Sequence, residues 1–99
     1  MVVKLVEVFE TSKHHSQDKV SYSLREVFVN PEHVTHLRED LHAIKKLEAG
    51  LLPEALDNRQ HFTRIHLNRG LSGIDLVVVG DPNTIREKLN KSTKILLKG

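Results

Sequence analysis

Two β-branched runs meet at a proline in the sequence Val27-Phe28-Val29-Asn30-Pro31-Glu32-His33-Val34-Thr35-His36-Leu37. Valine, isoleucine, threonine and phenylalanine favour strands, whereas an Asn-Pro pair favours a turn, and proline cannot donate a hydrogen bond to a strand ladder. The stretch therefore predicts a strand that ends at Asn30, one tight turn over 31–33, and a further strand over 34–38. Such an abrupt change of direction indicates a strongly bent sheet.

Three more runs complete a prediction of five antiparallel strands. Residues 2–9 alternate loosely between apolar and charged side chains, and residues 62–68 and 74–79 are rich in β-branched residues. Thr11 to Lys19 contains no apolar residue, which predicts a solvated hairpin loop. The fold class is mainly β, either a strongly bent five-stranded sheet or a small barrel. The expected core is Val3, Leu5, Leu24, Val27, Val29, Val34, Leu37, Ile65, Leu67, Leu76, Val78, Ile85 and Leu89.

Two helices interrupt this β pattern within a single predicted domain of residues 1–99. A helical insertion is predicted over 38–57, because apolar residues recur there at steps of three and four, at Leu37, Leu41, Ile44, Leu47 and Leu51. Gly50 is a natural C-terminal cap for that helix. A second helix is predicted over 82–90, with Asp81 as N-cap and Pro82 at its first position.

Composition excludes several classes of protein. The 99 residues include no cysteine, so disulfides, thiolate zinc sites and cysteine nucleophiles are excluded. No apolar run approaches the roughly 20 residues that a membrane helix needs, and the first residues do not form a signal peptide. These features predict a cytoplasmic protein without a membrane partner. The net charge of +2 is weak, although the stretch after Asp81 is locally basic.

The chain carries no recognisable arrangement of catalytic residues. Ser21, Ser23 and Ser72 do not lie in a Gly-x-Ser-x-Gly context, and Gly70-Leu71-Ser72-Gly73 lacks the Lys-Ser/Thr of a phosphate-binding loop. The sequence therefore predicts a non-enzymatic protein with no catalytic residue and no cofactor. Among seven histidines, only His36 and His66 are placed so that they could face each other across neighbouring strands. Because no third ligand accompanies them, no metal site is predicted.

A polar strand face offers a possible nucleic-acid surface. Arg64, His66 and Asn68 share one side of the predicted fourth strand, Phe62 lies at its start and Arg69 follows it. Arginine, histidine and asparagine beside an aromatic ring can bind single-stranded RNA. The alternative is that this face is merely solvated, while Thr63, Ile65 and Leu67 turn towards the core.

The order of these segments resembles that of two known groups. The strand ending in Asn30-Pro31, the strands at 34–37 and 62–67, the glycine turn, and the segments 76–79 and 82–89 resemble the short flagellar FlbD group and similar bacterial and phage proteins, over about half the chain. The five-strand order also resembles small Sm-like barrels, and Arg69-Gly70 is similar to the basic-Gly pair of their second motif. The Sm resemblance implies a ring that binds RNA, although the Asp and Asn of the first Sm motif have no match.

Self-association is expected, as a dimer or a small ring. Residues 41–56 hold more leucine than a thin domain can easily cover, and an open sheet leaves strand edges unpaired. Two functions remain open for this non-enzymatic module. One is single-stranded RNA binding at Arg64, His66, Asn68 and Arg69, which the Sm resemblance places first. The other is a protein–protein assembly or regulatory role, of bacterial or phage origin, without nucleic acid.

Overall fold

The described part of the chain forms five strands, two helices and one short 3-10 turn. The structure is a computed structural model that describes residues 2–11, 21–53, 56, 57, 59–70 and 72–98. The strands are β1 (Val3–Thr11), β2 (Ser21–Val29), β3 (Val34–Glu39), β4 (Phe62–Arg69) and β5 (Ser72–Val79); the helices are α1 (Leu41–Glu48) and α2 (Pro82–Lys98); the 3-10 turn is Pro31–His33. The predicted hairpin loop, Thr11 to Lys19, lies outside the described residues except for Thr11, which ends β1. Helix α2 runs to Lys98, beyond the end predicted at residue 90.

All five strands belong to one antiparallel sheet in the order β2-β1-β5-β4-β3, which confirms the predicted fold class. The ladders differ greatly in length. Strand β1 pairs with β2 through nine residue pairs and β4 with β5 through eight. Among the described residues, strand β1 pairs with β5 at two positions alone, Glu7↔Val78 and Val8↔Val77. A two-pair ladder therefore connects a β1–β2 hairpin to a β3–β4–β5 meander.

The short link between β2 and β3 requires the sheet to curl. These strands lie at opposite edges, so in a flat sheet four spacings of about 4.8 Å, or about 19 Å, would separate them. Only residues 30–33 connect them, and a 3-10 turn advances about 2 Å per residue. The end of β2 must therefore lie near the start of β3. Among the described residues β2 and β3 do not pair with each other, so the sheet is strongly bent but is not closed into a barrel.

The side chain at the start of the link fixes the turn. Asn30 accepts a hydrogen bond from the Glu32 amide at 3.0 Å, and Pro31 occupies the first position of the 3-10 turn. The Asn-Pro pair thus forms the single tight turn that the sequence predicted.

One face of the sheet packs against α2 and contains the predicted core. Leu5, Val29, Ile65, Val78, Ile85 and Leu89 are buried in one cluster, with Val3, Val27, Val34, Leu37, Leu67 and Leu76 packed around them. Every predicted core residue except Leu24 belongs to this cluster. Asp81 accepts a hydrogen bond from the Thr84 amide at 3.1 Å, as expected of the N-cap of α2.

The opposite face packs against α1 and forms a second core that the sequence did not predict. Its buried members are Val8, Ala43, Leu47, Leu52 and Phe62, and Leu24 packs against them. A thin sheet covered by a helix on each side has two apolar faces, so apolar residues occur at both odd and even strand positions. The prediction of a single core was incomplete for this reason.

Helix α1 is shorter than the predicted stripe. The Asp40 side chain accepts from the Ala43 amide, so the helix begins at Leu41, and Leu37 lies in β3 instead. At the other end, Gly50 has φ 75° and the Leu51 amide bonds to the Lys46 carbonyl, which is the glycine cap that the sequence predicted. Ala43 and Leu47 of α1 are buried against the sheet, whereas Leu41 is exposed. Neither described helix has the length and apolar character needed to cross a bilayer.

Candidate functional site

Polar side chains from three adjacent strands line the part of the sheet that α1 leaves uncovered. The strand register places Arg38 opposite Arg64 and His36 opposite His66, and it places His66 opposite Asp75. Because side chains alternate along a strand, Asn68 lies on the same side as His66. We call this surface the histidine–arginine face; it consists of His36, Arg38, Arg64, His66, Asn68 and Asp75. It contains three of the four residues predicted to bind RNA.

Two carboxylates hold Arg64. Its guanidinium lies 3.1 Å from Asp40 Oδ2 and 3.2 Å from Asp75 Oδ2. Asp40 is almost fully buried, and a buried carboxylate requires a counter-charge and hydrogen bonds, which Arg64 and the Ala43 amide supply. Much of the positive charge of Arg64 is therefore offset within the protein.

The imidazole rings of His36 and His66 stack on each other. Their ring centroids are 4.9 Å apart and the rings are nearly parallel, at 6°. The Arg38 guanidinium lies 3.3 Å from Nε2 of His36, and because a guanidinium can only donate, Nε2 is the acceptor of this hydrogen bond. Nδ1 of His66 lies 2.6 Å from Asp75 Oδ1. The hydrogen bond from His66, followed by that from Arg64, lowers the pKa of Asp75 below its ordinary value.

A glycine makes room for the His66 ring. A Cβ atom at Gly73 would lie 2.7 Å from both Cε1 and Nε2 of His66, which is closer than real Cβ contacts come. The strand predicted over residues 74–79 leaves Gly73 outside it, whereas β5 begins at Ser72. A glycine inside a strand often marks such a close approach, so this signal was present in the sequence.

Phe62 and Arg69 were also predicted to belong to this face, but the structure describes no contact of either side chain with it. Phe62 is fully buried in the second core, so its ring is not available to stack on a base. Arg69 ends β4, and its side chain lies outside the described residues. Among the residues that the structure describes, no three histidine, aspartate or glutamate side chains are arranged so that they could hold a metal ion.

A second surface is an apolar cleft at the open side of the curled sheet. The cleft has a volume of about 750 Å³, and its lining residues come from β1, β2, the 3-10 turn, β4 and β5 and from the residues next to β1 and β2: Val2, Glu7, Arg25, Val27, Phe28, Val29, Asn30, His33, Leu67, Ile74 and Leu76. Three of these are large apolar side chains that remain exposed, Phe28 to 62%, Ile74 to 58% and Val2 to 55%. We call this site the cleft.

An ion pair lies in the cleft. Arg25 Nε donates to Glu7 Oε1 at 2.9 Å, and the guanidinium carbon lies 4.1 Å from the centre of the Phe9 ring. The Glu7 side chain is only 9% exposed, whereas that of Arg25 is 57% exposed. The hydrogen bond to Glu7 raises the pKa of Arg25 above its ordinary value. Arg25 thus presents a fixed guanidinium among apolar residues.

The cleft was not predicted from the sequence. Its walls belong to strands that lie far apart in the chain, and only the strand order and the curl bring them together.

No protein-family profile, no curated protein and no solved structure matches the chain.

Proposed function

We propose that the protein is a cytoplasmic, non-enzymatic assembly module whose cleft takes up an apolar segment of a partner protein. The observation that carries this proposal is the exposure of Val2, Phe28 and Ile74 together around one concavity. Soluble proteins rarely leave large apolar groups clustered at their surface unless a partner covers them. The volume of the cleft is also within the range of ligand sites.

The partner would gain affinity mainly by covering these side chains. Fully burying a side chain such as Phe28 contributes about 1.5 to 3 kcal/mol, and three rim residues would contribute together. Part of this gain is lost in ordering the incoming segment. The net free energy of binding is therefore small, so the complex is weak and reversible, as an assembly or regulatory role requires.

Strand β2 gives the segment a place to align. It is nine residues long and lies at a sheet edge, so its outer backbone groups have no strand partner among the described residues. An extended segment can add to such an edge while its side chains enter an adjoining cleft. The other edge, β3, has six residues, a register shift and the charged residues Arg38 and Glu39, features that protect an edge against pairing.

A titration followed by NMR tests this proposal. Isotope-labelled protein is titrated with a short, alternating valine–threonine peptide, acetylated and amidated so that it carries no charge. We expect shifts at the amides of residues 25–29 and 74–76. Phe28→Ser should weaken binding severalfold, and Leu41→Ser is a matched control, because Leu41 is 61% exposed but lies outside the cleft. Absence of shifts at the cleft, or an equal effect of both variants, would refute the proposal.

RNA binding on the histidine–arginine face is the second candidate. Arg38 and Arg64 lie directly opposite each other on adjacent strands, and like charges in such positions repel unless an anion offsets them. Arg64 has two carboxylates, whereas Arg38 forms no ion pair with a carboxylate among the described residues. A phosphate beside Arg38 would supply the missing anion.

Filter binding with mixed oligonucleotides at low and moderate salt tests this second candidate. If RNA binds here, its affinity should fall steeply with salt, and Arg38→Ala should weaken it. Arg59→Ala is the control, because Arg59 is an exposed arginine paired with Asp57 outside this face. Absence of binding at low salt would eliminate the RNA candidate.

A further inference from the structure

We infer that the segment taken up by the cleft carries a carboxylate and that this carboxylate binds Arg25. The inference rests on the proposed function and adds the chemistry of the partner to it. Its basis is the position of one exposed guanidinium in a lining that is otherwise largely apolar.

Arg25 is already oriented for such a contact. One hydrogen bond from Nε holds it to Glu7, and the ring of Phe9 lies beneath it. A guanidinium has five N–H donors in a rigid fork that matches the two oxygens of a carboxylate. Since the side chain is anchored before the ligand arrives, less side-chain freedom is lost on binding.

The other polar groups of the cleft also favour an acceptor. Asn30 uses its side-chain oxygen to accept from the Glu32 amide, so its NH₂ group remains to donate. His33 adds an imidazole to the lining. Among the described residues that line the cleft, Glu7 is the only one with a carboxylate, and it is nearly buried and bonded to Arg25. A cationic segment would therefore find no accessible counter-charge in the cleft.

Covering the cleft favours a charged acceptor beside Arg25. An apolar segment that lies over Arg25 removes water from its N–H groups, and a donor left without an acceptor in such a place opposes binding. A carboxylate on the segment, at its C-terminus or on an acidic side chain, supplies two acceptor oxygens and a charge of the right sign. The cleft thus selects an apolar segment with one negative charge.

Two peptides of the same valine–threonine sequence test this inference, one with a free C-terminal carboxylate and the other amidated. Each is titrated into the isotope-labelled protein, and the shifts of residues 25–29 and 74–76 give the affinity. For the unmodified protein we expect the carboxylate peptide to bind about tenfold more tightly.

Two variants should change the preference for the carboxylate peptide in opposite directions. Glu7→Gln leaves Arg25 without its internal counter-charge, so the preference for the carboxylate should increase. The double variant Glu7→Gln, Arg25→Gln should bind both peptides equally. It leaves no buried carboxylate unpaired, and its amide spectrum shows whether the fold is retained.

The outcomes separate the two proposals. Equal affinity of both peptides for the unmodified protein would refute the role of Arg25 and leave the assembly function standing. Binding of neither peptide would refute the assembly function itself. A preference that persists in the folded double variant would place the carboxylate elsewhere. Shifts of the cleft amides with protein concentration, without peptide, would identify a second copy of the chain as the occupant and would overturn the inference.

Discussion

Removal of the Asp40 carboxylate should be among the most damaging single changes on the α1 side of the sheet. Asp40 caps α1 through the Ala43 amide and also pairs with Arg64, and both bonds are made by one buried side chain. Loss of an N-cap costs about 1 kcal/mol, and loss of a charged hydrogen bond costs about 1.5 to 2 kcal/mol. Arg64 retains Asp75 as a partner, so it is not left alone.

We therefore expect Asp40→Ala to lower the free energy of unfolding by about 3 kcal/mol. Asp40→Asn should cost about 1.5 to 2 kcal/mol, because asparagine caps helices as well as aspartate but carries no charge. Urea unfolding at neutral pH measures both, provided that the slope with denaturant is unchanged. Glu48→Gln, at the exposed last position of α1, is the control and should cost less than about 0.5 kcal/mol.

Equal losses for Asp40→Ala and Asp40→Asn would show that the cap contributes nothing. A loss for Asp40→Ala no larger than that of Glu48→Gln would refute the argument altogether, because neither the cap nor the ion pair would then stabilise the fold.

Three further outcomes are expected. The pKa of Asp75 is lowered in the folded protein. Asp75 therefore contributes stability above its unfolded pKa of about 3.9, and this stability is lost as the pH falls through the lower folded value. His66→Gln should reduce this loss of stability, as measured by urea unfolding between pH 5 and pH 2. Ile85→Ala should cost about 2 to 5 kcal/mol in urea unfolding, because the side chain is fully buried between α2 and the sheet, and a loss below about 1 kcal/mol would contradict that packing. Light scattering at rising concentration should give a dimer or a small ring that Leu41→Glu weakens, whereas a monomer mass throughout would refute self-association.

The core under α2 could be predicted from the sequence because its strands alternate. Val27, Val29, Ile65 and Leu67 recur every second residue, and this period alone sets which side they face. The second core could not be predicted in the same way. Phe62 and Val77 lie at positions that a one-sided sheet would expose, and the helix that covers them is shorter than its apolar stripe.

For the candidate sites, the sequence predicted only which residues of a single strand share a face. Alternation placed Arg64, His66 and Asn68 on one face, but it gave no information about Asp40, which lies 24 residues from Arg64 in the chain. The partners of a charged side chain depend on strand order and on where a helix begins. The cleft depends on the curl of the sheet, which follows from the strand order together with the length of one link.

The two-pair ladder between β1 and β5 makes ligand binding and global stability interdependent. The cleft draws Arg25 and Val27 from the hairpin and Leu67 and Leu76 from the meander, so it spans the narrow junction between these two parts. A ligand bound in the cleft would contact both the hairpin and the meander and would hold them together. Whatever binds there should raise the unfolding temperature as its concentration rises, and the empty protein should open first along that junction.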